Sequence, residues 1–167
     1  IEGLDTYWVT LPEGQSFLFT PGHKSVTVFL FVNGTGSVVQ GTNRFNVGEV
    51  ALFVPSSGET VTVSSTDKTI NVLEFVIKFT ETEQEVFKKQ QNNFPFFKTY
   101  SACRKYKEAI KSEKTINRML LPENLVPRFC VGSVETDGPD EVARHSHPML
   151  EQLFFGLEYN DCIVTAD

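Results

Sequence analysis

Between Tyr7 and Thr80 the apolar residues fall into short β-branched and aromatic runs, each cut by a turn-forming cluster, and this punctuation limits the chain more than anything else in it. Val26 to Val32 is followed by Asn33-Gly34-Thr35-Gly36, then Ser37 to Gln40, Gly41-Thr42-Asn43 and Arg44 to Asn46. Val50 to Val54, Pro55-Ser56-Ser57-Gly58, Thr60 to Ser64, Thr66-Asp67-Lys68 and Ile70 to Phe79 continue the pattern. Strands this short, separated by turns this regularly, build an all-β sandwich or barrel. Asn33-Gly34 is the strongest local hairpin signal, because both residues tolerate the positive φ of a two-residue turn.

The middle of the chain changes character. Thr80 to Asn93 places Glu81, Glu83 and Glu85 early and Lys88 and Lys89 late, the order that suits a helix dipole, with Thr80 or Thr82 as the cap. Tyr100, Cys103, Tyr106 and Ile110 recur at helical spacing through Tyr100 to Lys114. These segments predict a helical connector whose charged stretches are solvated faces. Strand-like runs return at Ile116 to Leu121, Phe129 to Glu135, Glu141 to His147, Glu151 to Phe155 and Cys162 to Thr165, divided by Pro122-Glu123-Asn124, Gly138-Pro139-Asp140 and Tyr159-Asn160-Asp161. The predicted organisation is therefore a β unit over 1–80, a helical connector over 81–114 and the start of a second β unit over 115–167.

Composition excludes some classes of function. The net charge of -6, with Lys and Arg scattered, offers no basic footprint for phosphate and argues against nucleic-acid binding. No apolar run approaches the roughly 20 residues that a membrane-spanning helix needs. No signal-peptide pattern opens the chain, which begins at Ile1 without a Met, and a cytoplasmic location is expected. Cys103, Cys130 and Cys162 stand far apart, with no CxxC pair, and read as buried or half-buried free thiols.

The one constellation with evident chemistry is His145-Ser146-His147 with Glu151. On a strand, residues i and i+2 share a face, so the two imidazoles can converge on one ion. Glu151 follows across Pro148, a residue that ends strands. Two nitrogens and one carboxylate suit a divalent Fe, Mn, Ni, Co or Zn ion without choosing among them. The competing reading is that the histidines are ordinary surface or packing residues.

These residues resemble the first signature of the cupin superfamily, a Gly followed by His-x-His, a short spacer, Glu and a closing Gly. Six residues separate Gly138 from His145, Pro148-Met149-Leu150 is the spacer, and Glu151 takes the carboxylate position. The closing position is Glu158, with Gly156 nearby. The resemblance implies a mainly β fold, an antiparallel double-stranded β-helix of the jelly-roll kind, and a divalent metal at His145, His147 and Glu151.

The first half matches the same signature in spacing but not in chemistry. His23-Lys24-Ser25, the spacer Val26-Thr27-Val28, Phe29 in the Glu position and Gly36 as the closing Gly follow the pattern. In the second family signature Gly48 leads to Pro55, and Val61 stands where a His would be. Ser25, Phe29 and Val61 thus replace three of four ligands. Phe and Val cannot coordinate an ion, so the first barrel should be metal-free, its interior either a packed core or a small apolar pocket, and His23 an ordinary histidine.

Ser25 and Val61 lie 36 residues apart, and the same interval from His147 leads to a position near 183, beyond Asp167. A chain of the bicupin type cut within its second barrel is therefore expected, with strand edges left for another chain and a homodimer as the outcome. The resemblance implies a metal-dependent protein that binds or acts on a small oxygen-bearing molecule, with the reaction unassigned. The alternative is a non-catalytic small-ligand, sugar-like binding or sensing module. Arg144 and Arg128 could orient a substrate carboxylate or could be plain structural arginines. No residue is assigned a catalytic role.

Overall fold

The computed structural model describes residues 1–22, 24–146 and 151–165. Its strands are β1 (Leu4–Leu11), β2 (Ser16–Phe19), β3 (Ser25–Gln40), β4 (Asn43–Val47), β5 (Ala51–Val54), β6 (Val61–Lys78), β7 (Phe96–Thr99), β8 (Lys105–Tyr106), β9 (Thr115–Val126) and β10 (Phe129–Thr136). One helix, α1 (Glu81–Lys88), and a 3-10 turn at Gln91–Asn93 separate β6 from β7. The protein is mainly β and every pairing is antiparallel.

Two long strands organise the first sheet. β3 and β6 pair from Ser25↔Lys78 to Gln40↔Val61, and the ladder is irregular between Phe31 and Gly36. The beginning of β3 and the end of β6 are flanked by β1 on one side and by β5 and β7 on the other. Their opposite halves carry β4 and β2. This bent, two-layered arrangement is consistent with a jelly-roll barrel.

The irregularity lies at Asn33-Gly34-Thr35-Gly36, where the sequence predicts a hairpin. The strand instead runs straight through. Gly34 has φ +101°, and a Cβ there would overlap the Thr69 carbonyl, while one at Gly36 would overlap the Ser64 carbonyl. The glycines serve a bulge that bends the strand and lets β6 approach closely. The tight turn forms later, at Gly41-Thr42, with Gly41 at φ +56°.

The layer built from the first half of β3, β5 and the end of β6 carries apolar residues on both faces. Phe29, Phe31, Ala51, Phe53 and Val72 join Leu11, Val38, Val47, Val61, Val63 and Ile70 in one core cluster. The alternate residues Val26, Val28, Leu30, Leu52, Val54, Phe75 and Ile77 face the other way, onto Phe87 of α1 and Leu120, Leu121, Leu125 and Val126 of β9. Successive strand residues point to opposite faces, which explains why the run VTVFLF carries no exposed position. Each fully buried large apolar side chain contributes roughly 1.5–3 kcal/mol.

Helix α1 starts as the sequence predicts, from Thr80. The Thr80 hydroxyl accepts from Glu83 N, and Thr80 N donates to Glu83 Oε2 at 2.8 Å, a reciprocal capping box. Arg128, in the turn between β9 and β10, reaches back to this cap: its Nε lies 2.6 Å from Glu83 Oε1. The same guanidinium donates to the carbonyls of Glu2 and Lys78. Arg128 is thus a structural clamp.

Three expectations are corrected. Tyr100 to Lys114 forms no helix; it turns at once and gives the short strand β8. Cys103 is buried in the core, and Tyr100 donates to Glu135, so tertiary contacts rather than helical periodicity fix the stripe. β9 continues through Pro122-Glu123-Asn124, where a turn is predicted, as an irregular stretch between Leu121↔Val131 and Val126↔Phe129; Pro is tolerated at such a bulge. Residues 141–146, 151–155 and 162–165 are not strands. Among the described residues, no helix is long and apolar enough to cross a membrane.

Candidate metal centre

Phe29 and Val61, where the resemblance would set ligands in residues 1–80, belong to the core. Phe29 is 1% exposed and Val61 0%. Phe29 packs edge-on against Phe19 at 5.3 Å between ring centroids, and Phe17 and Phe53 complete its surroundings. Ser25 begins β3 opposite Lys78. His23 lies outside the described residues. The turn before Val61 is pinned by Gln40, whose buried amide donates to the Ser56 and Glu59 carbonyls and accepts from Ser56 N. The described interior around Phe29 and Val61 is packed aromatic and aliphatic surface, with half-buried Glu74 across from Phe29 on β6.

The segment carrying His145 is moored to the loop before β9. Asp140 accepts from Ser112 Oγ at 2.7 Å and from Thr115 Oγ1, and Ala143 N donates to Ile110 O at 3.2 Å. Hydrogen bonds from Thr115, then Ser112, hold the Asp140 carboxyl below the usual range for an aspartate. Gly138, with φ +80°, makes the turn out of β10.

His145 and Glu151 are both exposed, and residues 141–146 are not in a strand, so the shared strand face expected for His145 and His147 is not the local geometry at His145. His147 itself lies outside the described residues. Among the described residues, no group of three or more His, Cys, Asp or Glu side chains is placed to hold an ion.

One contact bears on the fit of a metal. His145 Nδ1 lies 2.6 Å from Ala143 O. A carbonyl can only accept, so Nδ1 carries the proton and the neutral ring has its lone pair on Nε2. Metal-binding histidines are oriented in this way, with the other ring nitrogen donating to a backbone carbonyl. The donor chemistry of His145 thus fits a divalent ion. Arg144 is exposed beside it.

A polar cluster that the sequence reading did not single out lies under β10. Arg118 on β9 is 8% exposed, and its Nη2 sits 2.9 Å from Glu135 Oε1. Tyr100 donates to Glu135 Oε2 at 2.8 Å, and the Arg118 guanidinium carbon stands 4.5 Å from the Tyr100 ring centroid. Burial raises the Glu135 pKa, but hydrogen bonds from Tyr100 and Arg118 outweigh it and leave the carboxyl below its ordinary value. Burial chiefly pushes the Tyr100 phenol up. These groups satisfy one another, which marks a structural hub. The only hint in the sequence is the polar pair Asn117-Arg118 beside the apolar run Met119-Leu120-Leu121.

The sequence matches no protein-family model, and no curated protein matches it. Part of the chain is similar to solved structures. A cupin protein from Bacteroides fragilis is 14% identical with a TM-score of 0.43, over 48% of this chain and 70% of that one. A predicted oxalate decarboxylase from Thermotoga maritima is 17% identical with a TM-score of 0.41, over 44% and 65%. A Cupin 2 conserved barrel domain protein from Salinispora arenicola is 16% identical with a TM-score of 0.41, over 46% and 64%. The chain thus spans slightly less than two thirds of the length of the latter two.

Proposed function

We propose that this is a cupin-type protein whose first β unit is an inert brace and whose second carries a divalent-metal site at His145, His147 and Glu151. The ion would serve to bind, and in the enzymatic case to polarise, a small oxygen-bearing molecule. The observation that carries the reading is the contrast between the two halves. Phe29 and Val61 are sealed in core where ligands would stand, whereas His145 is exposed with its Nδ1–H spent on Ala143 O. Metal at such a site supplies Lewis acidity to an oxygen ligand. His145 would present Nε2, and Glu151 would add negative charge.

Self-association belongs to the same reading. β10 is the end strand of its sheet, and its outward residues Cys130, Gly132, Val134 and Thr136 carry no charge to discourage pairing. A second copy pairing along β10 gives a symmetric dimer, and sedimentation of a monomer at about 100 μM would contradict it.

The direct test of the metal site is a Co2+ titration of the full chain followed by visible absorption. Saturable d–d bands that His145→Ala and Glu151→Ala abolish are expected; bands unaffected by both substitutions would overturn the assignment. If the ion binds but small acids and sugars are held without turnover, the binding-module reading replaces the enzymatic one.

A further inference from the structure

The seam between the two sheets, where β7 faces β8 and β9, leaves an open cleft of about 390 Å3. Its floor is apolar. Leu120 is buried, and Phe96, Met119 and Pro122 lie half-buried around it. Three hydrogen-bond donors complete the lining: Lys98, Arg104 and Tyr106. Lys98 stands two residues after Phe96 on β7, so strand alternation sends both toward the same side. Tyr106 is fixed by the pairing of β8 with β9, opposite Asn117.

Among the described residues no acidic side chain lines this cleft, and burial, then Glu108 and Glu123 nearby, push the Tyr106 phenol up. Lys78, Lys88, Lys107, Lys111, Arg118 and Arg128 each pair with a carboxylate. Lys98 and Arg104 pair with none among the described residues, and the Tyr106 hydroxyl has no hydrogen-bond partner there. The volume falls in the range of small-molecule sites, which combine mostly apolar walls with a few polar groups that orient the ligand. Cations beside a low-dielectric wall attract an anion more strongly than cations surrounded by water.

We infer that this cleft binds a small amphiphilic carboxylate, its hydrocarbon part against Phe96, Met119, Leu120 and Pro122 and its carboxylate held by Lys98 and Arg104. Tyr106 donates to the same group. A neutral apolar molecule would leave both cations without a partner, and a compact anion would leave the floor uncovered. The site lies apart from His145 and does not depend on a metal there.

Octanoate is the probe, with octanol as its neutral counterpart. The chain has two methionines, so Met119→Leu assigns the Met119 methyl resonance in a protein labelled with 13C-methyl methionine. Octanoate should displace that resonance saturably in the full chain, and octanol should bind at least about tenfold more weakly, since a charged partner is missing. Lys98→Gln combined with Arg104→Gln should weaken octanoate roughly tenfold or more while the far-UV circular dichroism and urea unfolding midpoint stay those of the wild type. Raising salt from about 50 to about 500 mM should weaken octanoate and leave octanol unchanged. The inference is overturned if Met119 shows no saturable displacement, if octanol binds as tightly as octanoate, or if the double substitution leaves octanoate binding intact.

Discussion

Phe29 meets Phe19 edge to face, ring centroids 5.3 Å apart at an interplanar angle of 85°, in the position where the resemblance would set a metal-binding carboxylate. Edge-to-face pairs add about 0.5–1.5 kcal/mol beyond area burial, and Phe29 has two further aromatic neighbours. Phe29→Ala should therefore cost about 3–5 kcal/mol in urea unfolding. Phe29→Glu should be at least as destabilising and should not create a metal site, because its carboxylate would be buried without a partner. A Phe29→Ala loss below about 1 kcal/mol would mean that the interior around Phe29 is hollow rather than packed.

Arg118 and Glu135 should behave as a partly buried pair. Glu135→Gln leaves the Arg118 guanidinium short of its counter-charge, and a loss of about 1–3 kcal/mol is expected, below the full cost of breaking a buried pair because Glu135 keeps some solvent contact. The folded-state pKa of Glu135 is lowered, so its contribution is present above the unfolded carboxylate pKa and is lost as pH falls through the folded value. Wild-type stability should thus decline in acid below about pH 4.3, and Glu135→Gln should flatten that decline.

Glu74 has the opposite sign. It sits on β6 between Tyr7 and Phe29, half-buried, with no hydrogen bond or ion pair to a described residue, and burial raises its pKa. The folded protein therefore favours the protonated acid, and stability falls as pH rises from the unfolded to the folded pKa. Glu74→Gln should raise the unfolding midpoint at pH 7, by an amount that vanishes below about pH 4. Equal effects at both pH values would assign the gain to packing instead of charge.

The Thr80 cap and the Arg128 clamp give a local test. Thr80→Ala should cost about 1 kcal/mol, as loss of an N-cap does, and should speed amide exchange in Glu81–Lys88 before it affects β3. Arg128→Ala should loosen the same helix through Glu83.

How much of this was legible in the sequence differs from element to element. The mainly β class and the Thr80 helix could be read because each rests on local side-chain chemistry. Asn33-Gly34 misled because the same glycine freedom serves a hairpin or a bulge, and only the long β6 partner decides between them. Tyr100, Cys103 and Tyr106 mimic helical spacing, yet Tyr100 is claimed by Glu135 and Tyr106 by the ladder with Asn117, contacts distant in sequence. Glu141 to His147 reads as a strand by composition, but its described part, residues 141–146, follows Asp140, which is held to Ser112 and Thr115 instead. The Arg118 hub was missed because ion pairs between β9 and β10 leave no pattern along either strand.

The claim that the second unit holds the chemistry is tested most directly by the metal content of the purified full chain at neutral pH. About one divalent transition metal per chain is predicted, lost in His145→Ala and Glu151→Ala and retained in His23→Ala. A metal-free wild-type protein that takes up no ion when supplied with one, or a bound ion that survives both substitutions, would contradict the account.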